Sequence, residues 1–202
     1  MFREKIKVLD CTIRDGGLMN NHNFDFRFVR KVYKAVSEAG IDYMEIGYKN
    51  SKKLFSPKEY GAWKFCEDDE IRRVLEGIES RTKISVMVDI GRVNVEDVKP
   101  SSESPVKMIR VAAYVKDIDK AIFMVNHFAE KGYETTINIM AISKDQGVEL
   151  DEALRQIENE SRANVVYIVD SFGNLYQETT EILVKRFKAI LKTREVGFHG
   201  HN

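Results

Sequence analysis

The chain is poor in the residues that staple or punctuate a polypeptide, with only three prolines and two cysteines in 202 residues. Two cysteines, Cys11 and Cys66, make no disulfide framework, and they lack metal-ligand spacing. Cys11 lies in the first apolar run, where a small buried thiol is the expected role. No charge of one sign is in excess. The 32 basic residues match the 32 acidic ones, so no net field draws the chain to nucleic acid or to an anionic membrane. Short basic pairs such as Lys52-Lys53 sit near acids and read as solvated surface. No apolar run approaches the roughly 20 residues of a membrane span, and the opening MFREKIKVLD has no apolar core long enough for a signal peptide. The expectation is a soluble protein of a reducing, cytoplasmic compartment. Its length suits one substantial core better than two domains, and no linker or low-complexity tract suggests a break.

What is present is an alternation of short β-rich runs with longer amphipathic segments. Strands are expected at Ile6–Ile13, Tyr43–Tyr48, Ile84–Ile90, Met108–Val115, Thr135–Ile142, Val165–Asp170 and Val196–His201. Helices are expected at Arg27–Ala39, Asp69–Glu79, Ile118–Lys131, Leu150–Asn159 and Thr179–Lys192. In the first helix Phe28, Val32, Val36 and Ala39 share a face, and Gly40 is the stop. In the last, Ile182, Leu183, Phe187, Ile190 and Leu191 form a similar stripe. Val93–Pro105 reads as a loop with at most a short helix.

Strands that recur every 25 to 40 residues follow the step of a βα unit, which implies a parallel sheet, doubly wound or closed as a barrel. Polar residues gather at strand C-terminal ends, where a TIM barrel carries its chemistry. No G-x-G-x-x-G follows the first strand, so an open dinucleotide-binding sheet lacks its phosphate loop. The expected fold is therefore α/β, a TIM (β/α)8-type barrel with about seven strands present. Residues 1–202 then form one catalytic domain, which stops before the eighth strand. Either a C-terminal region is missing or another chain, such as a second copy in a homo-oligomer, covers the gap.

Two constellations carry chemistry. His199 and His201 are two apart in a strand, so both imidazoles face one way. They could line a polar interior without metal, or join Asp15, at the end of the first strand, in holding a divalent cation with positions left open. Arg14 beside Asp15 is either a structural ion pair or a fixed charge for a developing enolate or alkoxide. Gly16-Gly17 let the backbone turn sharply and approach closely. Glu45 is a lone carboxylate in an apolar strand, where alternation groups it with Tyr43 and Gly47; holding Arg14 is preferred to a catalytic role. Asp170 and Ser171 cap the turn after the sixth strand, with substrate contact as the lesser reading. His22, in the polar loop Asn20–Asn23, is expected to hang over the barrel mouth, with proton transfer open to it. His127 is a helix residue with a structural role, and the Tyr60–Phe65 cluster packs the loop after the second strand.

Asp10-Cys11-Thr12-Ile13-Arg14-Asp15-Gly16 resembles the D-x-T-x-R-D-G signature of the metal-dependent aldolase and Claisen-condensing barrel superfamily. Tyr43–Gly47, Asp170–Gly173 and Gly197–Asn202 resemble its second, sixth and metal-binding seventh strands, closest to the 4-hydroxy-2-oxovalerate aldolase-like branch. The resemblance implies a divalent ion (Mn2+, Mg2+ or Zn2+) held by Asp15, His199 and His201. It implies Arg14 stabilising a pyruvate-type enolate, a small 2-oxo acid or aldol as substrate, and carbon–carbon bond cleavage or formation. Glu45, Asp170 and Ser171 would lie toward the substrate, with Arg14 and His22 as the catalytic pair. In that branch a histidine follows the motif aspartate by three positions; here the position is Leu18, and the loop Lys49–Glu67 has no evident counterpart. An acyl-CoA-dependent condensing enzyme on the same barrel and a catalytically reduced metal-binding module are the alternatives.

Overall fold

A computed structural model describes residues 6–201, so Met1–Lys5 and Asn202 lie outside the described residues. Contacts divide the chain into two compact units. One comprises Met1–Val88, Arg92–Asn94 and Lys99–Met108; the other comprises Asp89–Gly91, Val95–Val98 and Ile109–Asn202. The architecture is the α/β, TIM-barrel type expected, with seven strands among the described residues. Each unit is described in turn.

In the first unit β1 (Leu9–Asp10), β2 (Tyr43–Tyr48) and β3 (Lys83–Asp89) stand in chain order, and both pairings are parallel. The first strand is much shorter than the expected Ile6–Ile13. Asp10 ends it: its carboxylate accepts the Thr12 backbone N–H at 3.2 Å and the Thr12 hydroxyl at 2.7 Å. That local bond turns the chain into a short helix, α1 (Thr12–Gly16), in place of further strand. Gly16 and Gly17 continue it with ordinary right-handed backbone, so neither makes the sharp turn expected of them.

Helix α2 (Phe26–Glu38) starts where Asp25 accepts the N–H groups of Arg27 and Phe28. It buries Val29, Tyr33 and Val36, while Phe28 stays exposed and stacks on Phe24. The buried stripe is thus rotated by one residue from the one anticipated. Helix α3 (Asp68–Leu75) ends four residues before the expected Glu79, just short of Gly77, whose φ of +66° suits a residue without a Cβ.

Strand β2 is buried at all six positions, as for a parallel strand covered on both faces. Its pairing with β3 contains an irregularity: Glu45 lies opposite Ser85 and Tyr48 opposite Met87. Three steps on β2 therefore match two on β3, as in a β-bulge. Paired residues share a face, and so do Ser85 and Met87, so the offset puts Tyr48 on the same side as Glu45. Strict alternation would have separated them. Within the irregular stretch, a Cβ on Gly47 would lie 2.1 Å from the Trp63 carbonyl oxygen and 2.6 Å from Cys66 Sγ. The missing side chain lets the loop after β2 lie directly on the strand.

The second unit carries most of β4 (Val106–Ala113), then β5 (Glu134–Ile139), β6 (Val165–Asp170) and β7 (Glu195–Gly200), again in chain order. Helices α4 (Ile118–Glu130), α5 (Val148–Glu160) and α6 (Gln177–Ile190) alternate with them. A short 3-10 turn at Val95–Asp97 is the only helical element of the Val93–Pro105 loop among the described residues. The α6 stripe buries Leu183 and Phe187, with Leu191 just beyond the helix; Ile182, expected among them, is 66% exposed.

Gly47→Ala is expected to force either the Trp63 carbonyl or the strand to move. Overpacking of that kind costs about 1–3 kcal/mol, which a lowered urea midpoint at unchanged slope would register.

Candidate functional site

The first unit gathers four of the expected site residues. The turn of α1 places Arg14, 4% exposed, against the wholly buried Glu45 of β2. Arg14 Nε donates to Glu45 Oε1 at 2.6 Å, and Nη1 donates to Asp15 Oδ1. The Cys11 thiol, half-buried rather than buried as expected, donates to the same Glu45 oxygen at 3.6 Å. The Tyr48 ring lies 6.0 Å from the guanidinium carbon, which the strand irregularity makes reachable. Burial opposes the guanidinium charge, but Glu45 above all, then Tyr48 and Asp15, hold the group above the ordinary arginine range. Glu45 thus holds Arg14 as the modest reading anticipated. The result is a permanent cation whose direction is fixed by two carboxylates.

His22 departs from expectation. It is 2% exposed, not an open loop residue, and Nδ1 has no hydrogen-bond partner among the described residues. Asn21 and His22 both adopt positive φ, 54° and 59°, which folds the loop back on itself. A Cβ on Gly17 would come within 2.2 Å of His22 Nδ1, so this glycine makes the close approach expected of the pair. The imidazole meets Tyr48 edge to face at 5.2 Å. Burial first, then Lys64 and Arg14, lowers its pKa to about 4, so it is neutral at physiological pH. Leu18, at the position of the branch's histidine, is 56% exposed.

Sequence reasoning missed two neighbours. Tyr48 was hidden because alternation assigned it to the other face. Lys64 falls within the Tyr60–Phe65 cluster, whose aromatic residues signal packing alone; it is 6% exposed, with its ammonium over the rings of Tyr48, Phe55 and Tyr60 at 4.9, 4.6 and 5.2 Å. Burial of a lysine among aromatics was the available signal, but nothing in the local sequence shows the burial.

The second unit holds the remaining candidates. His199 leaves β7 with His201 just after it, and their Nε2 atoms stand 3.1 Å apart. Two nitrogens at that spacing suit one cation, whose bonds to histidine run about 2.0–2.1 Å. Asp170 is buried, and its carboxylate accepts the N–H groups of Asn174 at 3.2 Å and Leu175 at 2.9 Å. That is the turn-capping role. Ser171 Oγ accepts the N–H of Ala141 at 2.8 Å, steadying a residue at φ +53°. His127 is a half-buried residue of α4 whose Nδ1 lies 3.9 Å from Glu96.

The family model described as HMGL-like matches residues 5–202. Among curated proteins, the 4-hydroxy-2-oxovalerate aldolase of Thermus thermophilus is 30% identical over 96% of this chain and 55% of its own length. That of Geobacillus thermodenitrificans is 27% identical over 98% of this chain and 56% of its own length. The chain therefore spans a little over half of these relatives. Among solved structures, the N-terminal domain of a proposed aldolase from Bacteroides vulgatus superposes with a TM-score of 0.80 at 29% identity, over 97% of this chain and 64% of that one. The HMG-CoA lyase of Bacillus subtilis shares the fold, with a TM-score of 0.66 at 16% identity over 100% of this chain and 70% of that one.

Two outcomes follow from the first-unit geometry. Glu45→Ala leaves the Arg14 charge buried with half its compensation, a loss of about 3–5 kcal/mol for such pairs, measurable by denaturant unfolding. His22 binds a proton near pH 6.5 when unfolded but only near pH 4 when folded. The unfolded state therefore takes up protons first, and the His22 contribution, complete above pH 6.5, falls away as pH drops from 6.5 to 4. His22→Asn, which keeps a side chain tolerant of positive φ, should flatten the decline of Tm across that window.

Proposed function

From the premise that this chain belongs to the HMGL-like family, we propose that it carries the site of a divalent-metal-dependent aldolase, a carbon–carbon lyase acting on a small 2-oxo acid. The observation that carries the reading is the Arg14 guanidinium, buried and aimed by Glu45 and Asp15. A fixed cation of this kind stabilises the oxygen on which charge develops as a pyruvate-type enolate forms, and it needs no reorganisation during the reaction. The curated relatives are named aldolases, which supports the same chemistry.

Asp15, His199 and His201 would hold the metal. The donor set of one carboxylate and two imidazoles suits Mn2+, Mg2+ or Zn2+, and the convergence of the two histidine nitrogens supports the assignment. When bound, the ion supplies Lewis-acid polarisation of the substrate's oxygens. The chain's own residues do the rest. Arg14 carries the positive charge, and Glu45 keeps it from rotating away. His22, neutral and packed on Tyr48, is a base available for proton transfer. Asp170 and Ser171 order the turn after β6, from which they would face substrate. No helix among the described residues is long and apolar enough to cross a membrane.

Deuterium exchange into the methyl group of pyruvate, followed by proton NMR with Mn2+ present, tests this reading. The native chain is expected to catalyse exchange, and Arg14→Ala to lose about 10²–10³-fold of the rate. His199→Ala should lower the bound Mn2+ measured by elemental analysis. Exchange that persists undiminished in Arg14→Ala would remove Arg14 from the mechanism.

A further inference from the structure

Asn138 of β5 has no part in the chemistry above. It is 1% exposed, and its amide nitrogen has no hydrogen-bond partner among the described residues. A buried donor left unmatched weakens the fold unless something later matches it. The amide oxygen, by contrast, is engaged: it accepts the hydroxyl of Thr136 at 3.1 Å. Thr136 lies two residues earlier, on the same face and one step toward the start of the strand. Oxygen and nitrogen leave the amide carbon in divergent directions. Holding the oxygen back toward Thr136 therefore turns the nitrogen toward the C-terminal end of β5.

The neighbouring strands show what lies at that end. Asn138 is paired with Tyr167 of β6, and Tyr167 with Gly197 of β7, so the three share a face. His199 stands on that face too, two residues beyond Gly197 and opposite Val169. The unmatched nitrogen is thus turned toward the strand ends where His199 sits, the end at which barrels of this type carry their chemistry. The Tyr167 ring leans away over β7, because a Cβ on Gly197 would lie 2.6 Å from it. The Arg110 guanidinium, stacked on that ring at 4.5 Å, has only donors and does not match the amide either.

We propose that Asn138 is a substrate-binding residue and that Thr136 positions it, so that the amide N–H donates to an oxygen of the bound 2-oxo acid. A buried donor of fixed direction discriminates against any molecule that brings no acceptor to that place. The identity of the ligand rests on the aldolase reading; the direction of the amide does not.

Binding of pyruvate to the Mn2+-loaded chain, read by isothermal titration calorimetry, tests the assignment. The comparison is the paired variant Thr136→Val with Asn138→Leu, which removes the amide and its hydroxyl partner together and leaves neither unmatched. Its Tm is expected at or above the native value, while its pyruvate dissociation constant rises about tenfold or more. An unchanged dissociation constant in the folded variant overturns the proposal. Should the variant fail to fold, the native chain labelled with 15N-asparagine and loaded with Mg2+ decides. Saturating pyruvate is expected to shift the Asn138 side-chain amide protons downfield, and resonances that do not move overturn the proposal. Pyruvate binding that needs the amide, without deuterium exchange, would remove the aldolase reading and leave the binding residue. Exchange with a pyruvate affinity indifferent to the amide would do the reverse, and a native chain that neither binds nor exchanges pyruvate would remove both.

Discussion

The first unit depends on one buried ion pair, Arg14 with Glu45. A carboxylate with no exposure in the middle of an all-buried strand would be untenable alone, and so would a guanidinium that is 4% exposed. Each is tolerable only because the other is there. Their bond fixes how α1 lies on β2, and α1 in turn delivers Asp15, Gly17 and the loop that returns as His22. Charge placement and backbone placement are therefore one constraint. The cation that the chemistry needs is also what secures the first turn of the chain to the sheet.

Beside that pair the electrostatics fix the form of His22. His22 sits near two cations in a dry setting, which keep it neutral. His199 and His201 stand partly or fully exposed, with their ring nitrogens turned toward each other. Neutral imidazole is the form that takes a proton from carbon, and burial with Lys64 and Arg14 nearby is what holds His22 in it. A carboxylate in place of Lys64 would favour the protonated form of His22 instead.

Much of this was legible in sequence. Strand β2 and strand β6 fall at the anticipated residues, the other later strands within three residues at each end, and the α/β type follows from their spacing. The Arg14–Glu45 pairing was also within reach, since a lone acid in an apolar strand needs a cation. Three things were not. The early end of β1 is set by the Asp10–Thr12 bonds, a local competition that apolar periodicity does not register. The burial of His22 depends on the absence of a side chain at Gly17 and on two left-handed residues, features of tertiary contact rather than composition. Tyr48 was lost to the strict two-residue alternation of a regular strand, which this strand breaks. Lys64 followed it, because its cage needs Tyr48 on the near face.

The irregularity in β2 has a consequence for how the protein can change. Which face Tyr48 occupies depends on the number of residues between it and Glu45, and much less on what they are. Met44 and Ile46 can drift among apolar types with little consequence for the site. Removing a single residue from that interval would turn the tyrosine over and dissolve the neighbourhood of Arg14, His22 and Lys64 together. The strand works as a counter, intolerant of insertion and deletion. Across relatives, the number of residues from Glu45 to Tyr48 should accordingly hold constant while the apolar identities around them vary.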